Sequence, residues 1–137
     1  MIPAAKNHGY LLDTHVVLWW QMDAARLPRE AARTLSSPRA RLCVSVASLW
    51  ELRIKQKLGK LRVPDGVFAM LRTEAVELLD VTADDADAAG GLAPVHGDPF
   101  DRMLVAQAQE RGLTLVTADR KLTAYGVPVL DTKPKRR

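Results

Sequence analysis

The chain has 137 residues, of which 47% are hydrophobic and 26% charged, and it carries a net charge of +4. That is one domain by size, with enough chain for a sizeable core and an ordinary globular balance of residues. The single cysteine, Cys43, excludes an internal disulfide framework, and no stretch approaches the roughly 20 apolar residues of a membrane span.

Cys43 lies in the apolar "RLCVSV", which predicts an inert buried thiol, and a lone thiol fits a reducing compartment. The opening "MIPAAKNHGYLLDTH" lacks a basic segment leading into an apolar one, so no signal peptide is expected and the chain reads as cytoplasmic. The basic balance permits an acidic partner, whether RNA, DNA or an acidic peptide, without proving one. Part of the excess sits in "KPKRR" (133–137), which reads as a disordered tail on a single domain spanning 1–132.

The first element is "GYLLD" (9–13), one of four short apolar runs bounded by turn or polar residues, as buried strands are. The apolar "VVLWW" that follows reads as a short helix, and "PREAARTLS" has a helical pattern from Pro28. "RLCVS" (41–45) is the second strand. "SVASLWELRIKQKLGKL" begins a helix near Ser45, with Gly59 as its C-cap glycine. "PDGVFAMLRTE" starts a further helix at Pro64, and "AVELLDV" (75–81) is the third strand. Thr82 is an N-cap for "TADDADAAGGL"; "DPFDRMLVAQAQERG" is a helix closing at Gly112; "LTLVTA" (113–118) is the fourth strand and "VPVLD" (127–131) a weaker fifth.

Strands alternating with helices imply parallel pairing through crossovers, and the non-alternating apolar strands agree, since a parallel sheet is covered on both faces. The expected fold is α/β, a three-layer α/β/α sandwich with a four- to five-stranded parallel sheet. Ligands of such sheets sit at the carboxyl ends of the strands.

Acids gather there. Asp13 ends the first strand and Asp119 the fourth, Glu51 lies less than two turns into the helix after the second, and Asp98 and Asp101 open the helix that leads into the fourth. Singly, each has a plain structural explanation. Asp98 before Pro99 is a helix start, and Asp101 at the third helical position suits the macrodipole. Asp13 and Asp119 read as turn residues, and Glu51 as a solvated helix position. Asp101 fits its explanation less well, because it shares a face with Val105 and Ala108 and so is directed toward a covered cleft. Together the structural explanations do poorly, because several carboxylates at one mouth repel one another. A hard divalent cation, Mg²⁺ or Mn²⁺, resolves that repulsion, and an acidic metal site in a basic chain suits phosphodiester hydrolysis.

Three stretches, "LLDTHVVLWW" (11–20), "SVASLWELRIKQKLGKL" (45–61) and "DPFDRMLVAQAQERGLTLVTADRKLTAYGVPVL" (98–130), also carry a resemblance. In their order and motifs they resemble the PIN-domain ribonucleases, and within them the VapC-type toxins of bacterial toxin–antitoxin pairs. The "S-x-x-S-x-W-E-L" and "DPFDR-x-L-x-A-Q-A" pieces are the specific ones. The resemblance implies a PIN fold and a Mg²⁺- or Mn²⁺-dependent endoribonuclease acting on RNA. It puts the four acids on Asp13, Glu51, Asp101 and Asp119, with Asp98 beside the third as the helix cap. It also implies a homodimer and a cognate antitoxin protein that blocks the cleft. Residues 62–97 match only loosely, and "DTKPKRR" lies outside the pattern.

Supporting roles follow from position. Thr14 and Thr117 stand next to acids, so either hydroxyl can orient a carboxylate or water, or simply cap a strand end. Ser45 is either a contact to substrate or metal water, or a helix N-cap. Arg102 either braces the acid cluster or contacts phosphate. "RIKQKLGKLR" (53–62), with five basic residues, is either a solvated helix face or a rail for the RNA backbone. Trp19, Trp20 and Trp50 read as core or interface, and His8, His15 and His96 lack metal-ligand spacing. Competing readings are a phosphatase or DNA flap nuclease of similar architecture, a receiver-like domain, and a basic RNA-binding module whose acids are only caps. An aspartyl-phosphate phosphatase wants a second aspartate where His15 stands, and a receiver wants an acidic pair where Leu11 and Leu12 precede Asp13.

Overall fold

The computed structural model describes residues 8–133; the start of the chain and tail residues 134–137 lie outside the described residues. Five strands form one parallel sheet in the order β3-β2-β1-β4-β5. They are β1 (Gly9–Leu12), β2 (Arg41–Ser45), β3 (Glu77–Leu79), β4 (Thr114–Thr117) and β5 (Val129–Asp131). The helices are α1 (Thr14–Met22), α2 (Arg29–Ser36), α3 (Val46–Lys57), α4 (Asp65–Met70), α5 (Ala83–Gly91) and α6 (Pro99–Arg111), with a 3₁₀ turn at Arg120–Tyr125. Among the described residues no helix is long and apolar enough to cross a membrane.

The strands are apolar throughout because successive side chains enter opposite layers. Leu12, Val44 and Val116 pack with Val16, Val17, Leu52 and Phe68 on the side of α1, α3 and α4. Leu11, Cys43 and Leu115 pack with Leu104, Val105 and Ala108 of α6 on the other. Each fully buried Leu or Val contributes about 1.5–3 kcal/mol. Cys43 has no exposed surface, and burial pushes its thiol up to about 11, so it is inert at neutral pH.

The helix starts are fixed locally. Ser45 Oγ accepts from the Ala47 amide, Thr82 and Asp85 form a reciprocal capping box, and Asp98 caps α6 ahead of Pro99. Gly112 ends α6 at φ 63°, a left-handed conformation that favours glycine. The edge strands are shorter than their apolar runs. β3 pairs with Cys43–Ser45 of β2 and β5 with Leu115–Thr117 of β4, so at their carboxyl ends both edge strands stop where the partner strand does. Likewise α4 ends at Met70, short of the "LRTE" that follows it.

The order of the strands positions the site. The chain runs outward from β1 through β2 to β3, then returns to lay β4 on the other side of β1. A crevice therefore opens at the carboxyl ends of β1 and β4, where the connections diverge.

Candidate metal centre

Asp13 follows β1 directly into that crevice. Its Oδ1 accepts from the Val16 amide at 2.9 Å, capping α1, and its Oδ2 accepts from the Thr117 hydroxyl at the end of β4 at 2.5 Å. One carboxylate thus ties two neighbouring strands together. Burial raises its pKa, opposed by those two hydrogen bonds.

Glu51, buried in α3, is held from two sides. Its Oε1 accepts from the Thr14 hydroxyl at 2.5 Å and its Oε2 meets Lys55 Nζ at 2.5 Å. Thr14 also shares a 3.0 Å bond with Ser48. Lys55 follows Glu51 by one helical turn, the favourable order for such a pair, and that hydrogen bond raises the pKa of the ammonium.

Asp98 Oδ1 accepts from the amides of Phe100 at 2.8 Å and Asp101 at 3.2 Å. It is the cap, and its carboxylate also faces the cleft. Asp101, in the first turn of α6, is half-buried with Asp98, Asp13 and Glu51 as charged neighbours. Desolvation, then repulsion from Asp98 and Asp13, lifts its pKa to about 7, with His96 opposing. Asp119 lies two residues beyond β4 and caps the start of the 3₁₀ turn. Its Oδ1 accepts from the Lys121 amide at 3.0 Å, and its Oδ2 lies 2.8 Å from His96 Nε2.

The five acids line one cleft of about 390 Å³, together with Thr14, His15, Trp19, Lys55 and Ala118. The structure therefore brings Asp13, Glu51, Asp98, Asp101 and Asp119 together, with Thr14 and Thr117 directly behind two of them. The donor set suits a hard divalent cation: carboxylate oxygens of several chain segments converge, and one is driven toward protonation when no cation balances it. One oxygen each from Asp101 and Asp119 and one ring nitrogen of His96 lie within 4.8 Å of one another.

Two residues with alternative readings find their places. Ser45 has no exposed surface and does not reach the cleft; its hydroxyl is spent on the N-cap of α3. Arg102 makes no hydrogen bond to the acids and lies outside the lining of their cleft, so any bracing by it is indirect. Its guanidinium donates to the carbonyls of Ala89 (3.1 Å), Leu92 (2.9 Å), Ala93 (3.0 Å) and His96 (3.3 Å), clasping the connection between α5 and α6.

Two residues that touch the acids escape sequence reasoning, His96 and Lys55. The i,i+4 spacing from Glu51 was a signal for Lys55, whereas the place of His96 depends on how its connection packs. Of the basic run, Arg53 covers the Phe68 ring at 3.5 Å and Lys57, Lys60 and Arg62 are exposed. Trp19 and Trp20 pack against the core, but Trp50 is 64% exposed. It lines an apolar groove of about 470 Å³ with Val46, Val81, Phe100 and Met103.

Comparison with known proteins agrees with this arrangement. The PIN-domain profile matches residues 10–128. Ribonuclease VapC22 of Mycobacterium tuberculosis is 33% identical over 121 residues, a span of 86% of this chain and 92% of that protein. The fold is shared with VapBC-1 from nontypeable Haemophilus influenzae, at TM-score 0.66 and 21% identity over 90% of this chain and 97% of that one. It is also shared with Mycobacterium tuberculosis VapC20, a sarcin–ricin loop cleaving toxin, at TM-score 0.64 and 19% identity over 91% and 99%. With the motifs, the sheet order and the clustered acids in agreement, this chain belongs to the PIN-domain family, in its VapC branch.

Proposed function

We propose that this protein is the toxin of a toxin–antitoxin pair, a Mg²⁺- or Mn²⁺-dependent endoribonuclease. The observation that carries the reading is the crowding of Asp13, Asp98, Asp101 and Asp119 beside Glu51 in one cleft, with Asp101 driven up to about 7. The likeness to Ribonuclease VapC22 supports RNA as the substrate, and the net charge of +4 suits a phosphate backbone.

Asp13, Asp101 and Asp119 would hold the cation, with Glu51 as a further ligand or a supporting acid. When bound, the ion supplies the charge that activates water and stabilises the transition state of phosphodiester hydrolysis. The rest is the work of the chain. Thr117 and the Val16 amide fix both oxygens of Asp13, so this carboxylate is oriented before any ligand arrives. Thr14 and Lys55 do the same for Glu51. Lys55 also offsets part of the negative charge that would repel an incoming phosphate.

An antitoxin partner is supported by fold neighbours that are VapBC complexes, such as that of Rickettsia felis (TM-score 0.65, 18% identity, 90% of this chain and 98% of that one). An antitoxin arginine entering the cleft would compete for the same oxygens as the cation. The exposed groove around Trp50 is the face we assign to a second copy in a homodimer, since an aromatic-centred apolar patch suits association.

The test is cleavage of host total RNA by antitoxin-free protein with Mg²⁺, with Mn²⁺ and with EDTA, beside a folded Asp13→Asn variant. Discrete cuts that need both metal and Asp13 are expected. Metal-independent RNA binding without cleavage would overturn the reading in favour of a binding module.

A further inference from the structure

Every polar atom of His96 is engaged. Its amide donates to the Tyr125 hydroxyl at 3.0 Å and its carbonyl accepts from Arg102 at 3.3 Å. In the ring, Nδ1 lies 3.1 Å from the amide of Asp98, and Nε2 lies 2.8 Å from Asp119 and 3.6 Å from Asp101.

These contacts settle the tautomer. The Asp98 amide can only donate, so Nδ1 must accept and present its lone pair. The ring proton then sits on Nε2 and points at Asp119. A nitrogen that carries its proton has no lone pair for a cation, so in this arrangement His96 grips the acid and does not ligate a metal itself.

The grip is rigidly mounted. Arg102 ties down the carbonyls of Ala89, Leu92 and Ala93, and the Tyr125 hydroxyl donates to Ala93 while accepting from His96. Arg102 is the residue next to Asp101, and Tyr125 ends the 3₁₀ turn that Asp119 begins. The clasp therefore fixes His96 relative to both of the acids it faces. Asp119 has the greater need of it, with a side chain 34% exposed against 23% for Asp101.

We propose that His96 is a positioning residue for Asp119, mounted by Arg102 and Tyr125, and that its hydrogen bond sets how tightly the acid cluster holds a divalent cation. The proposal rests on the metal-dependent reading above and adds a device to it. A carboxylate pinned at both oxygens is ordered before the cation arrives, whereas one that has lost the His96 bond must be ordered on binding. Partners that orient metal-binding groups are typically worth 10–100-fold in affinity.

The experiment is calorimetric titration with Mn²⁺ of the RNA-free full chain and three variants. His96→Ala removes the donor. His96→Gln restores a donor near the Nε2 position and an acceptor, but no ring nitrogen. Tyr125→Phe keeps the ring of the clasp and removes its hydroxyl. His96→Ala should bind Mn²⁺ about tenfold or more weakly, His96→Gln within about threefold of the wild type, and Tyr125→Phe at an intermediate level. Thermal unfolding of the metal-free variants reports whether each is folded.

Wild-type affinity in His96→Ala overturns the proposal. So does a loss in His96→Gln equal to that in His96→Ala, which would instead indicate ligation through the ring nitrogen. If His96→Ala does not fold, Tyr125→Phe decides: unchanged affinity overturns the mounting. No Mn²⁺ uptake by the wild type would overturn the metal-dependent reading itself, a failure distinct from the others.

Discussion

Asp85 and Asp101 hold the same station, the third residue of α5 and of α6, two helices packed against each other. Their surroundings drive them in opposite directions. Asp85 accepts from the Thr82 amide, from Gln107 Nε2 at 3.2 Å, and from both terminal nitrogens of Arg111 at 2.8 and 2.9 Å. The Arg111 guanidinium holds its carboxyl well below the usual range. Asp101 has His96 at 3.6 Å and three other acids as neighbours, and is pushed up to about 7. The first acid has its charge balanced within the fold, so it serves stability. The second is left unbalanced within the fold, which suits its proposed role in holding a cation.

The sharpest way to break this contrast is to neutralise each acid. Asp101→Asn should lower RNA cleavage by about 10²–10³-fold, comparable to losing a key electrostatic contact in an active site, while the metal-free protein unfolds at the same or a higher temperature. A variant that cleaves normally would make Asp101 a mere helix-start residue. Asp85→Asn should do the reverse. It strands Arg111 beside a neutral amide and should cost about 3 kcal/mol in urea unfolding, with cleavage by the folded fraction retained.

Proton linkage sharpens the contrast further. The folded pKa of Asp101, about 7, exceeds the roughly 4 of an unfolded aspartate. Between those values the folded chain binds more protons, so its stability falls as pH rises from about 4 to 7. The raised Asp13 acts in the same direction. The depressed Asp85 acts oppositely: its contribution is complete above about pH 4 and is lost as pH falls toward its folded value. Denaturation of metal-free wild type and Asp101→Asn should therefore agree near pH 4 and diverge toward pH 8, with the variant the more stable. Added Mn²⁺ should stabilise the wild type more at pH 8 than at pH 5.5.

The smallest expected effect lies behind the acids. Thr117→Val removes the hydroxyl donated to Asp13. Mn²⁺ affinity should fall by about tenfold, read by the same titration, and an unchanged affinity would mean that the α1 cap alone suffices to orient Asp13.

The three central strands were legible in the sequence because each is an apolar run that must be covered on both faces. The edge strands were legible only in place, since at their carboxyl ends their length depends on where the neighbouring strand stops. The cluster of acids could be anticipated because four of them lie at or just after strand ends and helix starts, which a parallel sheet brings to one rim. Arg102 was legible only in part: neighbouring residues on a helix do not share a face, so it makes no hydrogen bond to the acids and braces them only through the segment that carries His96. His96 was out of reach because its bond to Asp119 spans 23 residues and its mounting bond to Tyr125 spans 29. Neither separation leaves a periodic trace. Ser45 carried two readings that sequence could not separate, and burial chose the cap.

The placement of β4 beside β1 has a consequence for when the cleft first exists. The bond from Thr117 to Asp13 joins residues 104 apart, so the wall that carries Asp119 is added only after nearly all of the domain has been synthesised. A nascent chain that has emerged only as far as α6 has β1 unpaired on one side and lacks the end of β4 altogether. If the finished protein cuts RNA, the ribosome that makes it works beside an incomplete cleft until the end of β4 and Asp119 have been added. A partner that is already present then meets the cleft at the moment of its completion.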